Sequence, residues 1–494
     1  MWPSFIPELI VAFYAIGVIL ITVYTFGQFH LLYYFSTPKK NGRFHPSYSP
    51  MKDQDLPTVT VQLPMYNERY VASAVIDACA RLDYPKDKLE IQVVDDSTDD
   101  TVQIVEERVQ HWTSQGIDIK AVHREHRHGF KAGALADATP DAKGEFIAIF
   151  DADFRPNPSF LKRTIPYFQN EKVGIVQGRW GHINRDYSVL TKSQSIFLDM
   201  FFVIEQQARS LAKFFLRFNG SGGVWRKTTI EDAGGWSADT LSEDLDLAFR
   251  AQLKDWEVIY DVDVEAPAEI PVTMLDFKAQ QYRWTKGKAQ VVRKLWSSIR
   301  QKGMSFNDKM HVYFDLFNFA IIPGIFLIAM LSLPLTILLF QTDEFDKVLT
   351  YFSIALINII LAPIYAYIVM LMYNKDSKWE AFKETLVSFF PFTLMTLGMM
   401  AFQITSMIEG FISKKVFFHR TSKYNITSND DKWKDKVYRP SEVPLITYVE
   451  GLLALYFMAA IYVDFKFGGL FFLPFHLLLV SGFLYVFILS FRKA

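Results

Sequence analysis

The chain has 494 residues and a net charge of −1 at neutral pH; 50% of its residues are hydrophobic and 16% aromatic, among them 45 Phe. Near-neutral charge argues against nucleic acid as a partner, and the single cysteine, Cys79, excludes an internal disulfide and a thiolate metal cluster. So much Phe points to a surface that faces lipid, and the length allows one large catalytic domain plus a membrane portion.

The first apolar run, from Phe5 to about Tyr34, is long enough to cross a bilayer core, which needs about 20 residues. No basic residue precedes it, no small-residue cleavage site ends it, and Lys39, Lys40 and Arg43 follow. Residues 1–36 therefore read as a retained transmembrane anchor rather than a signal peptide. By the positive-inside rule, the domain that follows lies in the cytoplasm.

Residues 50–305 alternate strand and helix. Short β-rich runs are expected at Thr58–Leu63, Glu90–Val94, Ile117–Val122, Glu145–Phe150 and Lys172–Gln177, with helices at Ala72–Leu82 and Thr101–Trp112. That order predicts an α/β domain with a mostly parallel sheet covered on both faces. Ligands of such sheets bind beyond the carboxyl ends of the strands, where Pro64, Tyr66, Glu68, Asp95, Asp96, Asp151 and Asp153 fall. No GxGxxG or P-loop sequence is present.

The residue types at these ends suit a nucleotide sugar. Asp151 and Asp153 flank a small residue directly after the apolar run EFIAIF, and can share a hard divalent cation that keeps positions open for phosphate oxygens. Asp95 and Asp96 end an apolar strand, where base or ribose recognition is expected. The acidic residues after them suit a helix start. Lys131 follows the basic stretch His123–Gly129 and is expected to face a diphosphate; the interleaved arginines would repel a metal from those histidines. One of Glu243, Asp244 and Asp246 can take a proton from an attacking hydroxyl. In Gln280–Trp284, Arg283 can clamp phosphate oxygens and Trp284 offers a flat face to a sugar ring.

Two helices carry an apolar stripe with a basic flank and are expected at the membrane interface: Tyr187–Phe218, and Ala289–Ile299 with Val291, Val292, Leu295 and Trp296 on one face. Residues 306–494 form the C-terminal membrane region. Spans are expected near 313–340, 347–373, 444–464 and 469–491. The segment 384–412, with Pro391, Gln403, Glu409 and Gly410, is expected to lie in the interface, because Glu409 would be costly at bilayer depth. That choice keeps the basic segment 413–440 and the C-terminal Arg492-Lys493 on the cytoplasmic side; a re-entrant hairpin at 384–412 would satisfy the same charges.

Taken in order, DDSTDD, GFKAGAL, DAD, FNGSGGVWR, SED and QQYRW resemble the motifs of inverting family 2 glycosyltransferases, and more closely those of the membrane-bound cellulose synthases and cellulose-synthase-like mannan/glucomannan synthases. The resemblance implies a GT-A, Rossmann-like domain inserted between transmembrane helices. It implies that Pro64, Tyr66, Glu68, Asp95, Asp96, Lys131, Asp151, Gln280 and Arg283 bind the nucleotide sugar, and that Asp151 and Asp153 hold Mg2+ or Mn2+. Asp244 would be the general base, and Trp284, Asn219, Gly220 and Ser221 would meet the acceptor. Phe418–Lys423 resembles the family's FxVTxK gating loop, with Phe418, Thr421 and Lys423 as its matching residues and Arg420 where the motif has Val. SED stands for the family's TED, and FNGSGG is closer to the mannan-type FNGTAG than to the cellulose-type FxCGS.

The expected function is processive, metal-dependent transfer from UDP-glucose or GDP-mannose onto a growing β-linked polysaccharide that is fed through the membrane. The alternative is addition of a single sugar to a lipid acceptor. The expected setting is a multi-pass protein of the plasma (inner) membrane with a cytoplasmic catalytic domain, membrane lipids around its spans, and no nucleic acid partner.

Overall fold

The computed structural model describes residues 5–37, 48–124, 126–339, 361–374, 376–413, 421–428, 430–436, 442–467 and 471–492. The first half of the chain runs α1 (Phe5–Ser36), β1 (Val59–Met65), α2 (Ala72–Ala80), β2 (Leu89–Asp95), α3 (Thr101–Ser114), β3 (Asp118–His123), α4 (Phe130–Ala138), β4 (Phe146–Ile149), α5 (Phe160–Thr164) and β5 (Val173–His182). It continues through α6 (Val189–Asp199), a π-helix (Met200–Gln206), α7 (Gln207–Ala212), β6 (Gly223–Arg226), α8 (Lys227–Asp232), α9 (Glu243–Leu253), β7 (Glu257–Ala268) and α10 (Met274–Gln301). The remaining helices are α11 (Phe306–Leu316), α12 (Ile321–Leu339), α13 (Leu361–Tyr373), α14 (Lys378–Gly398), α15 (Met400–Ile412), α16 (Ile446–Phe467) and α17 (Leu473–Phe491).

The strands form one seven-stranded sheet in the order β3-β2-β1-β4-β6-β5-β7. All neighbours pair in parallel except β6, which runs antiparallel to both β4 and β5. The mostly parallel α/β domain expected from the sequence is therefore present. Period-two alternation explains why both faces are apolar: on β4, Phe146 and Ala148 enter one core with Val59, Val61 and Leu63, while Ile147 and Ile149 enter the opposite core with Trp225 and Leu247. After β1 the chain builds outward to β2 and β3, then returns to place β4 on the other side of β1. This reversal opens a crevice at the carboxyl ends of β1 and β4.

By length and composition, four helices can cross a membrane: Phe5–Ser36, Asn318–Leu338, Ile446–Phe467 and Leu473–Phe491. These helices overlap the segments expected to span at the N-terminus and near 313–340, 444–464 and 469–491. Of the span expected near 347–373, the described part is the shorter apolar helix α13; residues 340–360 lie outside the described residues. The segment 384–412 is the one expected to lie in the interface or to form a re-entrant hairpin. It contributes to two helices, α14 and α15, that are bent by 51° at the break between them. α14 is tied to α17 where Gly398 meets Gly482: a Cβ on Gly398 would run into the Gly482 carbonyl oxygen. Close backbone approach through small residues is the usual way for helices to pack within a membrane.

The α10 stripe expected to meet lipid is covered by protein instead, and the 187–218 stripe is covered only in part, with Phe197 still exposed. On α10, Val291, Val292, Leu295 and Ile299 are buried against Leu245 and Phe249 of α9 and Val312 and Leu316 of α11, and only Trp296 stays exposed. In the 187–218 segment, Phe202 and Phe214 are buried, and Phe197 stacks on Phe392 of α14. An amphipathic pattern records that one face leaves water, not whether lipid or a neighbouring helix covers it.

Candidate active site

A cavity of about 210 Å³ opens at the crevice beyond β1 and β4. Pro64, Tyr66 and Glu68 reach it from the end of β1, and Asp151 and Asp153 from the turn after β4. Asn219 and Gly220 come from the loop before β6, and Glu243 and Asp244 from the first turn of α9. Gln280, Arg283 and Trp284 come from α10, and Thr421 and Lys423 from a segment more than a hundred residues further on. Asp96 and Lys131 also line it. Of the remaining residues singled out from the sequence, Asp95 and Ser221 are buried behind the wall, and Phe418 lies outside the described residues.

Two lysines meet the two carboxylates of the β4 turn. Lys131 Nζ donates to Asp151 Oδ1 at 2.5 Å and to the Gly220 carbonyl at 2.9 Å. Lys423 Nζ donates to Asp153 Oδ2 at 2.5 Å and to the Glu269 carbonyl at 2.9 Å. Ser221 holds this turn from behind, its Oγ accepting from the Asp151 N–H at 2.9 Å. Both carboxylates thus already face cationic groups in a largely enclosed space. Among the described residues, no group of three His, Cys, Asp or Glu side chains forms a metal cage. A pair of carboxylates without a third protein ligand fits a Mg2+- or Mn2+-type ion that completes its shell with phosphate oxygens and water.

Gly220 brings the α9 acids to the same point. Its φ of +81° is a backbone conformation that glycine adopts without strain, and a Cβ there would lie 3.1 Å from Asp244 Oδ2 and 3.5 Å from Lys131 Nζ. Burial pushes Glu243 and Asp244 well above the usual carboxylate range, and the proximity of Asp244 raises Glu243 further. A carboxylate raised in this way holds a proton more readily at neutral pH, which is what a base for a sugar hydroxyl requires. Burial lowers Arg283 to about 10, against the opposing pull of Asp151, Glu243 and Asp153. It remains a cation at neutral pH.

The far ends of β1 and β2 build a second corner. Asp95 Oδ1 accepts from the Ser97 N–H, bracing the turn after β2. Asp96 is gripped by Arg124 through Nε at 2.7 Å and Nη2 at 2.5 Å, and the Arg127 guanidinium lies 3.4 Å from the centre of the Tyr66 ring. An aromatic face, a guanidinium plane and an acid on one wall can stack a base and bind its edge.

At the opposite end, Trp284 packs near Trp180, with ring centroids 6.3 Å apart, and Trp180 Nε1 donates to the Ser221 carbonyl. The side-chain Nδ2 of Asn219 has no partner among the described residues. The sequence reading missed Trp180, Glu269 and His182, all of which line the cavity. Glu269 is held above its ordinary range, at about 7, by burial, although the N–H groups of Tyr424 and Asn425 both donate to it. Nothing in EAPAEI marks it; its importance follows from where β7 ends.

Residues 60–227 match glycosyl transferase family 2, and residues 146–374 match glycosyl transferase family group 2. Glucomannan 4-beta-mannosyltransferase 2 of Arabidopsis thaliana is 41% identical over 292 residues, covering 58% of this chain and 55% of that protein. Glucomannan 4-beta-mannosyltransferase 1 of Oryza sativa subsp. japonica is 42% identical over 267 residues, covering 53% and 51%. The chain spans about half the length of these curated relatives. In three dimensions it is similar to a mannosyltransferase of Pyrobaculum calidifontis, solved in complex with GDP-Man and Mn2+. The TM-score is 0.54 at 22% identity, over 82% of this chain and 100% of that one. This likeness establishes a GT-A-like fold. Residues 60–374 thus carry the glycosyl transferase family 2 matches, and over about half of its length the chain is similar to glucomannan 4-beta-mannosyltransferases.

Proposed function

We propose that this protein transfers mannosyl units from GDP-mannose, with inversion, onto the end of a β-1,4-linked glycan, and passes the product into its membrane helices. The observation that carries the reading is the meeting of Asp244, Lys131 and Asp151 around Gly220, which puts an acid of raised pKa, a cation and the β4 turn at one point. The relatives are described as glucomannan mannosyltransferases, and the structural neighbour was solved with GDP-Man and Mn2+; both favour mannose over glucose.

In this mechanism Asp244 removes the proton from the acceptor hydroxyl as its oxygen attacks the anomeric carbon. The bond from that carbon to the diphosphate breaks, and a single displacement inverts the configuration. Asp151 and Asp153 would hold Mg2+ or Mn2+, which offsets charge on the leaving diphosphate when bound. Lys131 and Arg283 add fixed positive charge on the same side, placed before the reaction begins. Tyr66, Asp96 and Arg127 bind the nucleoside, and Trp284 stacks on the acceptor sugar. The Thr421–Lys423 segment covers the diphosphate end. The basic residues after α1 favour the cytoplasmic side for this chemistry.

The test uses membranes carrying the full chain, supplied with radiolabelled GDP-mannose or UDP-glucose and Mn2+ or Mg2+. The expected product is an alcohol-insoluble polymer labelled from GDP-mannose, degraded by β-mannanase, and lost when EDTA is added. Label from neither donor overturns the reading. Label confined to a solvent-extractable lipid bearing one sugar replaces polymerisation with single transfer.

A further inference from the structure

The cavity wall near Trp284 carries an imidazole that the proposed reaction does not use. His182 ends β5 two residues after Trp180, so both side chains leave the same face of the strand. It lines the cavity with Trp180, Trp284, Leu198 and Ile270. Its side chain is only 2% exposed, and its Nε2 donates to Asp199 Oδ1 at 3.0 Å. Asp199 is fully buried, and its second oxygen accepts from the Tyr373 hydroxyl at 2.7 Å. The Arg185 guanidinium in turn lies 4.0 Å from the centre of the Tyr373 ring.

This chain of contacts fixes the ring. With Nε2–H committed to Asp199, the neutral imidazole carries a lone pair on Nδ1. Among the described residues, Nδ1 has no protein hydrogen-bond partner. Nδ1 is not one of the fully buried atoms, so a hydroxyl in the cavity can reach it and pair with it. The surroundings say what would: two indole faces within 6.3 Å of one another beside a lone hydrogen-bond acceptor make a surface for a ring that is apolar on its faces and hydroxylated at its edge.

We propose that His182 binds a hydroxyl of the acceptor saccharide beside Trp284, with Asp199 and Tyr373 as positioning residues that hold Nδ1 ready to accept it. The proposal rests on the cavity being a glycosyl-transfer site and adds to that reading a named contact for the acceptor chain. It also ties the acceptor end of the cavity to α13, which carries Tyr373.

The experiment measures binding of β-1,4-mannohexaose to the purified full chain in detergent, without donor, by tryptophan fluorescence. His182→Gln places an amide N–H where Nε2 bonds Asp199 and removes the atom at the Nδ1 position. His182→Asn keeps a polar atom at the Nδ1 position and gives up the Asp199 bond. The expected result is a Kd raised about tenfold in His182→Gln and less in His182→Asn, with Mn2+-dependent GDP binding unchanged in His182→Gln. Wild-type affinity in His182→Gln overturns the proposal, whether or not His182→Asn folds. So does the reverse order, which is what a residue serving only to hold Asp199 would give. Absence of mannohexaose binding by the unaltered chain also overturns it, whereas the donor assay above decides the glycosyl-transfer reading separately.

Discussion

Lys423 Nζ lies 2.5 Å from Asp153 Oδ2, although 270 residues separate them in the chain. The same segment is fastened through its backbone as well. The Tyr424 and Asn425 N–H groups donate to Glu269, and the Ser422 N–H donates to Asp276 at the start of α10. Its ammonium therefore stands against a carboxylate that the proposed mechanism assigns to a divalent ion.

Replacing Lys423 by Met separates those two roles. Without nucleotide, Mn2+ should bind more tightly than to the unaltered protein, because no ammonium competes for Asp153. Transfer should nevertheless fall about tenfold or more, since a charge near the leaving diphosphate is lost. Mn2+ titration calorimetry and initial rates on the same preparation check both halves. Unchanged Mn2+ affinity would mean that Lys423 and the metal do not share Asp153.

The pH profile reports on Glu243 and Asp244. Burial raises both, to about 7 and about 6, so the folded pair keeps a proton through mildly acidic pH that an exposed carboxylate would have lost. A base works only when deprotonated. The rate should therefore climb between about pH 5 and pH 8, rather than levelling off near pH 5 as an ordinary Asp would give. Glu243→Gln removes a neighbouring negative charge and should move the acid limb to lower pH. Asp244→Asn should remove roughly 10²–10⁴ of the rate while leaving GDP binding intact. A flat profile from pH 5 to pH 8 would exclude both acids as the base.

What could be read beforehand follows from local chemistry. An apolar run that stops at two acids marks both a strand and its carboxyl end, so Asp95, Asp96, Asp151 and Asp153 were legible. β6 was not, because GVWR is a four-residue strand inside a glycine-rich loop. β7 was missed because EVIYDVDVEAPA mixes acids with its apolar residues, as an edge strand with one wet side does. With β7 unread, Glu269 had no assigned place. Trp180 and His182 fell in the unread second half of β5, beyond Gln177. The membrane-side pairing was hidden for another reason: Gly398 and Gly482 meet through backbone atoms, and no side-chain pattern records that contact.

Gly220→Ala tests how closely the site is built. The left-handed φ would cost about 1–2 kcal/mol for an L-residue, and the added methyl carbon would sit 3.1 Å from Asp244 Oδ2. The variant should fold, with its unfolding midpoint lowered by a few degrees. Its kcat should fall by more than its donor KM rises, because Asp244 and Lys131 are displaced from one another. Steady-state kinetics beside thermal unfolding in detergent separate the two effects. A wild-type kcat would show that the loop yields without moving the base.

The last test concerns the tie between the catalytic domain and the membrane helices. Lys278, two residues before Gln280 on α10, donates to Glu450 Oε2 at 2.6 Å and to Thr447 Oγ1 at 3.0 Å on α16, and both charged side chains are almost wholly buried. Glu450→Ala strands a buried ammonium, and breaking such a pair costs about 3–5 kcal/mol. The unfolding midpoint should drop sharply, and less so in Glu450→Gln, which keeps an acceptor. Removing both charges together, in Lys278→Met/Glu450→Leu, takes away the stranded charge and should restore most of the stability. If that double variant is stable yet has a raised acceptor KM, the ion pair sets where Arg283 and Trp284 stand relative to α16. If it is stable with unaltered kinetics, packing alone holds α10 in place. A Glu450→Ala protein as stable as the parent would mean that water reaches Lys278 and that the pair is not buried in solution.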